Sequence, residues 1–81
     1  MLMSDFFSNN RYKIIDLRNR SEYLNNHING AINIPYDELL NNYRKYLNKN
    51  DSYYLYCKTN KLSRRMSVML NYLGYKTKVL E

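Results

Sequence analysis

A single cysteine, Cys57, is all the thiol this 81-residue chain holds. No disulfide can form within it, and no cysteine cluster can bind zinc. Only one histidine accompanies it, so no ligand set for a transition metal is available. No stretch approaches the roughly 18 consecutive apolar residues that a membrane span requires. Residues 1–10 lack the basic start and apolar run of a secretory signal. Two glycines and one proline leave no linker-like stretch, and no internal repeat is visible. These absences place the expected location in the cytoplasm, where a thiol stays reduced. They also leave one expected domain over residues 1–81, with residues 1–11 as an N-terminal cap segment carrying Leu2, Met3, Phe6 and Phe7. A domain this small buries only about 60% of its unfolded surface, which leaves room for one thin core.

Positive charge and tyrosine are abundant. Thirteen Lys and Arg against seven Asp and Glu give a net charge of +6, which favours an anionic partner. The ten tyrosines could stack on single-stranded RNA. Tyr43, Tyr46, Tyr53 and Tyr72, however, fall where helix or strand faces would bury them, and the basic residues are scattered without forming one stripe. Nucleic acid and membrane are therefore not the expected partners.

Strands and helices alternate along the chain. Tyr12–Leu17 reads as a buried strand with paired isoleucines, and Ser21 opens a short helix to about Asn26, with Ser21 as N-cap. Ala31–Asn33 is a brief strand stopped by Pro35. Asp37–Leu47 is a helix with Leu39, Leu40, Tyr43 and Leu47 on its apolar face. Tyr53–Tyr56 is a strand, Arg64–Leu73 a helix with Leu62, Met66, Met69, Leu70 and Leu73 in one stripe, and Lys76–Leu80 the last strand after a Gly74 C-cap. This order predicts an α/β fold: a small, largely parallel sheet with helices on both faces. Asp16-Leu17-Arg18 and Cys57 both end strands, the rim where such sheets collect ligands.

Cys57 closes an aromatic strand and precedes the polar loop Lys58-Thr59-Asn60-Lys61-Leu62-Ser63, which opens a helix. Backbone N–H groups and the helix terminus at such a place favour a thiolate. The plainer alternative is a small buried hydrophobe, the usual role of a free cysteine.

Three segments resemble the rhodanese family. Ile14-Ile15-Asp16-Leu17-Arg18 with Glu22-Tyr23 and His27-Ile28-Asn29-Gly30-Ala31-Ile32-Asn33-Ile34-Pro35 looks like the family's first signature. Leu55-Tyr56-Cys57 with its loop and helix resembles the catalytic-cysteine segment, and Gly74-Tyr75 with Val79-Leu80-Glu81 its next turn and closing strand. The resemblance implies a sulfurtransferase that passes a sulfane sulfur from thiosulfate or a persulfide, through a Cys57 persulfide, to a thiol or cyanide acceptor. That acceptor could be a protein, and the chemistry needs neither a metal nor an organic cofactor. It implies Cys57 as nucleophile and residues 58 to 63 as substrate cradle, with Lys58 and Lys61 attracting the anion, Ser63 donating to the sulfur, and Asp16 and Arg18 orienting the loop, Arg18 also meeting the anion. Ser63 could equally be a helix cap, and the lysines solvated loop charges. Glu22 and His27 match the pattern as structural residues.

Departures from the pattern are specific. Asn60 and Asn26 stand where the family usually has Gly, both being the non-glycine residue most tolerant of positive φ. Leu62 stands where Arg is frequent, and the family typically continues past the position of Glu81, so the fold is expected to be truncated at its C-terminus. Two further readings are a catalytically silent binding module and a cysteine phosphatase or arsenate reductase. The latter loops close with Arg after five intervening residues, where this chain has Ser63, with Arg64 one position late.

Overall fold

The computed structural model describes residues 12–81. The cap segment expected over residues 1–11 lies outside them. Four strands, β1 (Tyr12–Asp16), β2 (Ile32–Asn33), β3 (Ser52–Tyr56) and β4 (Lys76–Val79), alternate with three helices, α1 (Arg20–Asn25), α2 (Tyr36–Tyr46) and α3 (Lys61–Tyr72). The sheet order is β2-β1-β3-β4, and every pairing is parallel. This is the α/β architecture that the alternating pattern predicts.

Alternation along β1 divides the core in two. Ile15 and Leu17 face one side, where they join Leu39 and Leu47 of the α2 segment, Tyr53, Leu55 and Cys57 of the β3 segment, and Met66 and Leu70 of α3. Ile14 faces the other side with Ala31, against Tyr23 and Ile28. Helical segments therefore cover both faces, as a parallel sheet requires. Chain order places β2 on one flank of β1 and β4 on the outer flank of β3, so the connections diverge between β1 and β3. The crevice at the carboxyl ends of these two strands is the switch point at which open α/β sheets bind ligands.

Local capping shifts several boundaries from the sequence reading. Asn19, rather than Ser21, caps α1: its side chain accepts from the Glu22 N–H at 2.9 Å, and the Ser21 hydroxyl donates to the same oxygen at 2.8 Å. An Asx side chain at this position satisfies a helix donor without being part of the helix. The last helix starts three residues earlier than expected, at Lys61, so Lys61, Leu62 and Ser63 form its first turn instead of a loop. That rotation turns Ser63 and Ser67 into the protein and leaves Leu62 at the rim, outside the apolar stripe. Leu40, Tyr46 and Tyr72, expected on buried faces, are exposed. Asn26 has φ −168°, extended backbone that any residue adopts, so no positive φ is needed there. Among the described residues no helix is long and apolar enough to cross a membrane.

Gly74 ends α3 at φ +99°. Its N–H donates to the Asn71 carbonyl at 3.1 Å and the Tyr75 N–H donates to Leu70 at 2.9 Å, the paired bonds of a Schellman turn. Gly74→Ala should lower stability by about 1 kcal/mol through the positive φ, read as an earlier urea midpoint with unchanged slope. An unchanged midpoint would refute this account of the turn.

Candidate active site

The register places the two sequence motifs side by side. Asp16 pairs with Tyr56, and the next residue of β1's continuation, Leu17, donates its N–H to the Tyr56 carbonyl at 2.8 Å. Asp16-Leu17-Arg18 and Cys57 thus leave adjacent strands at the same level.

Asp16 is completely buried. It takes four short contacts from Arg18: the backbone N–H and Nε to Oδ1 at 2.9 and 3.1 Å, and Nε and Nη2 to Oδ2 at 3.2 and 2.8 Å. Nη2 also donates to the Asn26 carbonyl at 2.6 Å, and the guanidinium lies 5.2 Å from the Tyr56 ring centroid. The Asn33 side-chain amide donates to the carbonyls of Asp16 and Arg18 at 3.0 and 2.9 Å, fixing the turn from behind. Arg18 was expected both to orient the loop and to meet the anion. Its hydrogen bonds are to Asp16 and Asn26, and none is to Cys57. Beside it, Arg18, Asn26, His27, Ile28 and Tyr56 line a cleft of about 170 Å³. His27 serves locally: its Nδ1 lies 2.9 Å from the Tyr23 carbonyl, and its ring stacks on Tyr23.

Cys57 is 4% exposed. Its Sγ sits over the first turn of α3, accepting the Ser63 N–H at 3.3 Å and lying 3.2 Å from Ser63 Oγ. Burial pushes the thiol up. The Ser63 hydroxyl and the backbone N–H groups of Ser63, Thr59 and Leu62 outweigh it and hold Cys57 below its ordinary value. Ser63 serves two states. With a thiol present, Sγ–H donates to Oγ and the hydroxyl donates to the Asn60 carbonyl at 3.2 Å. With a thiolate, the hydroxyl turns to donate to sulfur, and the Asn60 carbonyl keeps the Arg64 N–H at 3.1 Å. Ser63 is the third residue of α3, not its cap; the cap position is Asn60.

Asn60 has φ +66° and is the one non-glycine residue with positive φ among those described. This left-handed step turns the chain sharply enough to aim successive N–H groups at the sulfur. Of the six residues expected to form the cradle, Thr59, Leu62 and Ser63 supply those N–H groups and Asn60 shapes it. Lys58 and Lys61 are exposed at its edge.

A family model described as the rhodanese-like domain matches residues 3–81. The chain belongs to the rhodanese-like domain family. Several solved structures share its shape. SSP1007 of Staphylococcus saprophyticus is 29% identical with a TM-score of 0.84, over 99% of this chain and 79% of that one. A rhodanese-related protein of Thermoplasma volcanium is 28% identical with a TM-score of 0.82, over 96% and 78%. A rhodanese-like domain protein of Staphylococcus aureus is 26% identical with a TM-score of 0.77, over 91% and 72%. Among curated proteins, none matches. Asn33 lies in the segment that resembles the family's first signature but carried no role there: an Asn two residues before Pro35 reads as a strand end, and only the folded turn shows its amide bridging two carbonyls.

Two outcomes check the cradle. In wild type, alkylation by iodoacetamide across a pH series should inflect below the free-cysteine value of ~8.5, and Ser63→Ala should move the inflection upward. A folded value below the unfolded one means the unfolded state holds the proton longer. The thiolate's contribution to stability is then fully present above the unfolded value and is lost as pH falls through the folded one. An inflection that Ser63→Ala leaves in place would refute the hydroxyl's part. Asn60→Val should cost about 1–2 kcal/mol and slow alkylation by distorting the turn, whereas Asn60→Gly should preserve both.

Proposed function

We propose that this rhodanese-like domain is a sulfurtransferase that carries a sulfane sulfur on Cys57. The observation that carries the reading is the sulfur's environment: a buried cysteine held below its ordinary pKa by N–H and O–H donors at a sheet switch point. The thiolate attacks the outer sulfur of the donor, an Sγ–S bond forms, and the donor's S–S bond breaks. With thiosulfate the electron pair leaves on sulfite. The persulfide then gives its outer sulfur to a thiolate or to cyanide, and the electron pair returns to Sγ. Charge is conserved in both steps, and the N–H groups that hold the thiolate also suit the persulfide anion.

Lys58 and Lys61 attract the anionic donor at the mouth, while Leu62, 39% exposed there, offers no planar fork to grip it. Point charges on flexible stems steer an anion and orient it poorly, so thiosulfate binds loosely and a persulfide donor suits the site better. The geometry disfavours a phosphatase or arsenate reductase. Arg64, the nearest arginine after the loop, points away to an exposed pair with Glu81, so among the described residues no guanidinium closes over the sulfur. A silent binding module is the remaining alternative, and the activity assay separates the two.

Incubation with thiosulfate should raise the intact mass by about 32, reversibly by added thiol, and Cys57→Ser should abolish both this gain and turnover with every donor. Leu62→Arg should lower KM for thiosulfate, and wild-type KM should rise with salt. No mass gain with either thiosulfate or a persulfide donor would leave the binding module as the reading.

A further inference from the structure

Helix α3 buries Ser63, Met66, Ser67 and Leu70 on one face. Its opposite face carries Lys61, Arg65, Val68 and Tyr72, which fall within a narrow band at helical spacing (i, i+4, i+7, i+11). Val68 is 72% exposed and Tyr72 89%, an aliphatic and an aromatic side chain at i and i+4 on the solvent side. A sheet-covering helix ordinarily puts polar residues there. The stripe begins at the loop that encloses Cys57 and runs about 16 Å along the helix.

The charge along this stripe is unfavourable to the free protein. Lys61 occupies the first turn, where no acidic residue complements the helix dipole. Lys61 and Arg65 set like charges at i and i+4. Among the described residues the ion pairs are Lys13–Asp51, Arg18–Asp16 and Arg64–Glu81, which leave Lys58, Lys61 and Arg65 uncompensated beside the site.

We propose that the outward face of α3 docks the protein that accepts sulfur from Cys57, a partner whose contact surface is acidic around an apolar anchor. The chemistry rests on the sulfur-transfer reading above; the contact does not. Acidic side chains of the partner meet Lys61 and Arg65 next to the mouth, and its apolar anchor covers Val68 and Tyr72. Its thiolate then reaches the outer sulfur of the Cys57 persulfide, an S–S bond forms on the partner, the Sγ–S bond breaks, and the electron pair returns to Sγ. The stripe is far longer than a small donor. A second copy would bring the same positive stripe against it. A nucleic-acid backbone would match the basic half but gain nothing from Val68.

Two measurements test this. The first is fluorescence anisotropy of the reduced protein with a labelled short peptide of Glu interspersed with Leu and Phe, a matched peptide with Lys for Glu, and oligouridylate. The acidic peptide should bind in preference to both others and weaken with salt. Val68→Ser with Tyr72→Ser, and separately Arg65→Glu, should each weaken it about tenfold. The second is sulfur transfer from the persulfidated protein to the acidic peptide carrying a cysteine. These variants should slow it about tenfold while leaving transfer to 2-mercaptoethanol unchanged. Acidic-peptide binding that ignores the variants, or tighter binding of oligouridylate, overturns the docking surface. Because the anisotropy arm needs no persulfide, failure of Cys57 to accept sulfur would count against the activity alone.

Discussion

Asp16 has no exposed surface, and a carboxylate taken out of water that completely costs several kcal/mol unless its charge is matched. Arg18 matches it in a fork, two residues along the chain, and to do so the backbone must turn sharply as it leaves β1. The turn is then locked from three sides: the Asn33 amide bridges it to β2, Nη2 holds the Asn26 carbonyl after α1, and the guanidinium lies over Tyr56 of β3. One buried charge therefore ties the ends of three strands together beside the cysteine. The pair is an anchor more than a reserve of stability, since a buried ion pair contributes little over an apolar substitute, while removing one partner is costly.

The sulfur is governed by a contest between burial and hydrogen bonding. Burial penalises the thiolate, and a buried free cysteine without donors would be inert. Here the left-handed step at Asn60 brings backbone donors round the sulfur, and the inward rotation of α3's first turn adds the Ser63 hydroxyl. The donors win. The same rotation determines what the outer face of α3 presents, because Ser63 and Ser67 can point inward only if Arg65, Val68 and Tyr72 point outward. Inside, Ser67 is matched by Thr77, whose hydroxyl lies 2.8 Å away, so the polar inner face leaves no donor or acceptor stranded.

Much of this was legible in order and spacing. Paired isoleucines before Asp16, the aromatic run before Cys57 and the Gly74 turn mark their elements because each states a local preference: β propensity, helical periodicity, positive φ. The positive φ of Asn60 was legible for the same reason. Local pattern misled where a side chain answers to a distant partner. Leu62 has the right spacing for the apolar stripe, but the helix is turned by Ser63's contact with a sulfur six residues earlier. Tyr72 reads as buried by type and stands in solvent.

By itself, then, the sequence determined the alternation of strands and helices, the parallel sheet, the single cysteine and the family to which the chain belongs. These follow from hydrophobic period and from residue types that admit few roles. Only the tertiary structure decided that Arg18 is committed to Asp16, that Ser63 and three N–H groups face the sulfur, and that the opposite side of α3 is basic and apolar at once. Those depend on the rotation of a helix about its axis and on which groups the switch point brings together, and neither is set by any one stretch of chain.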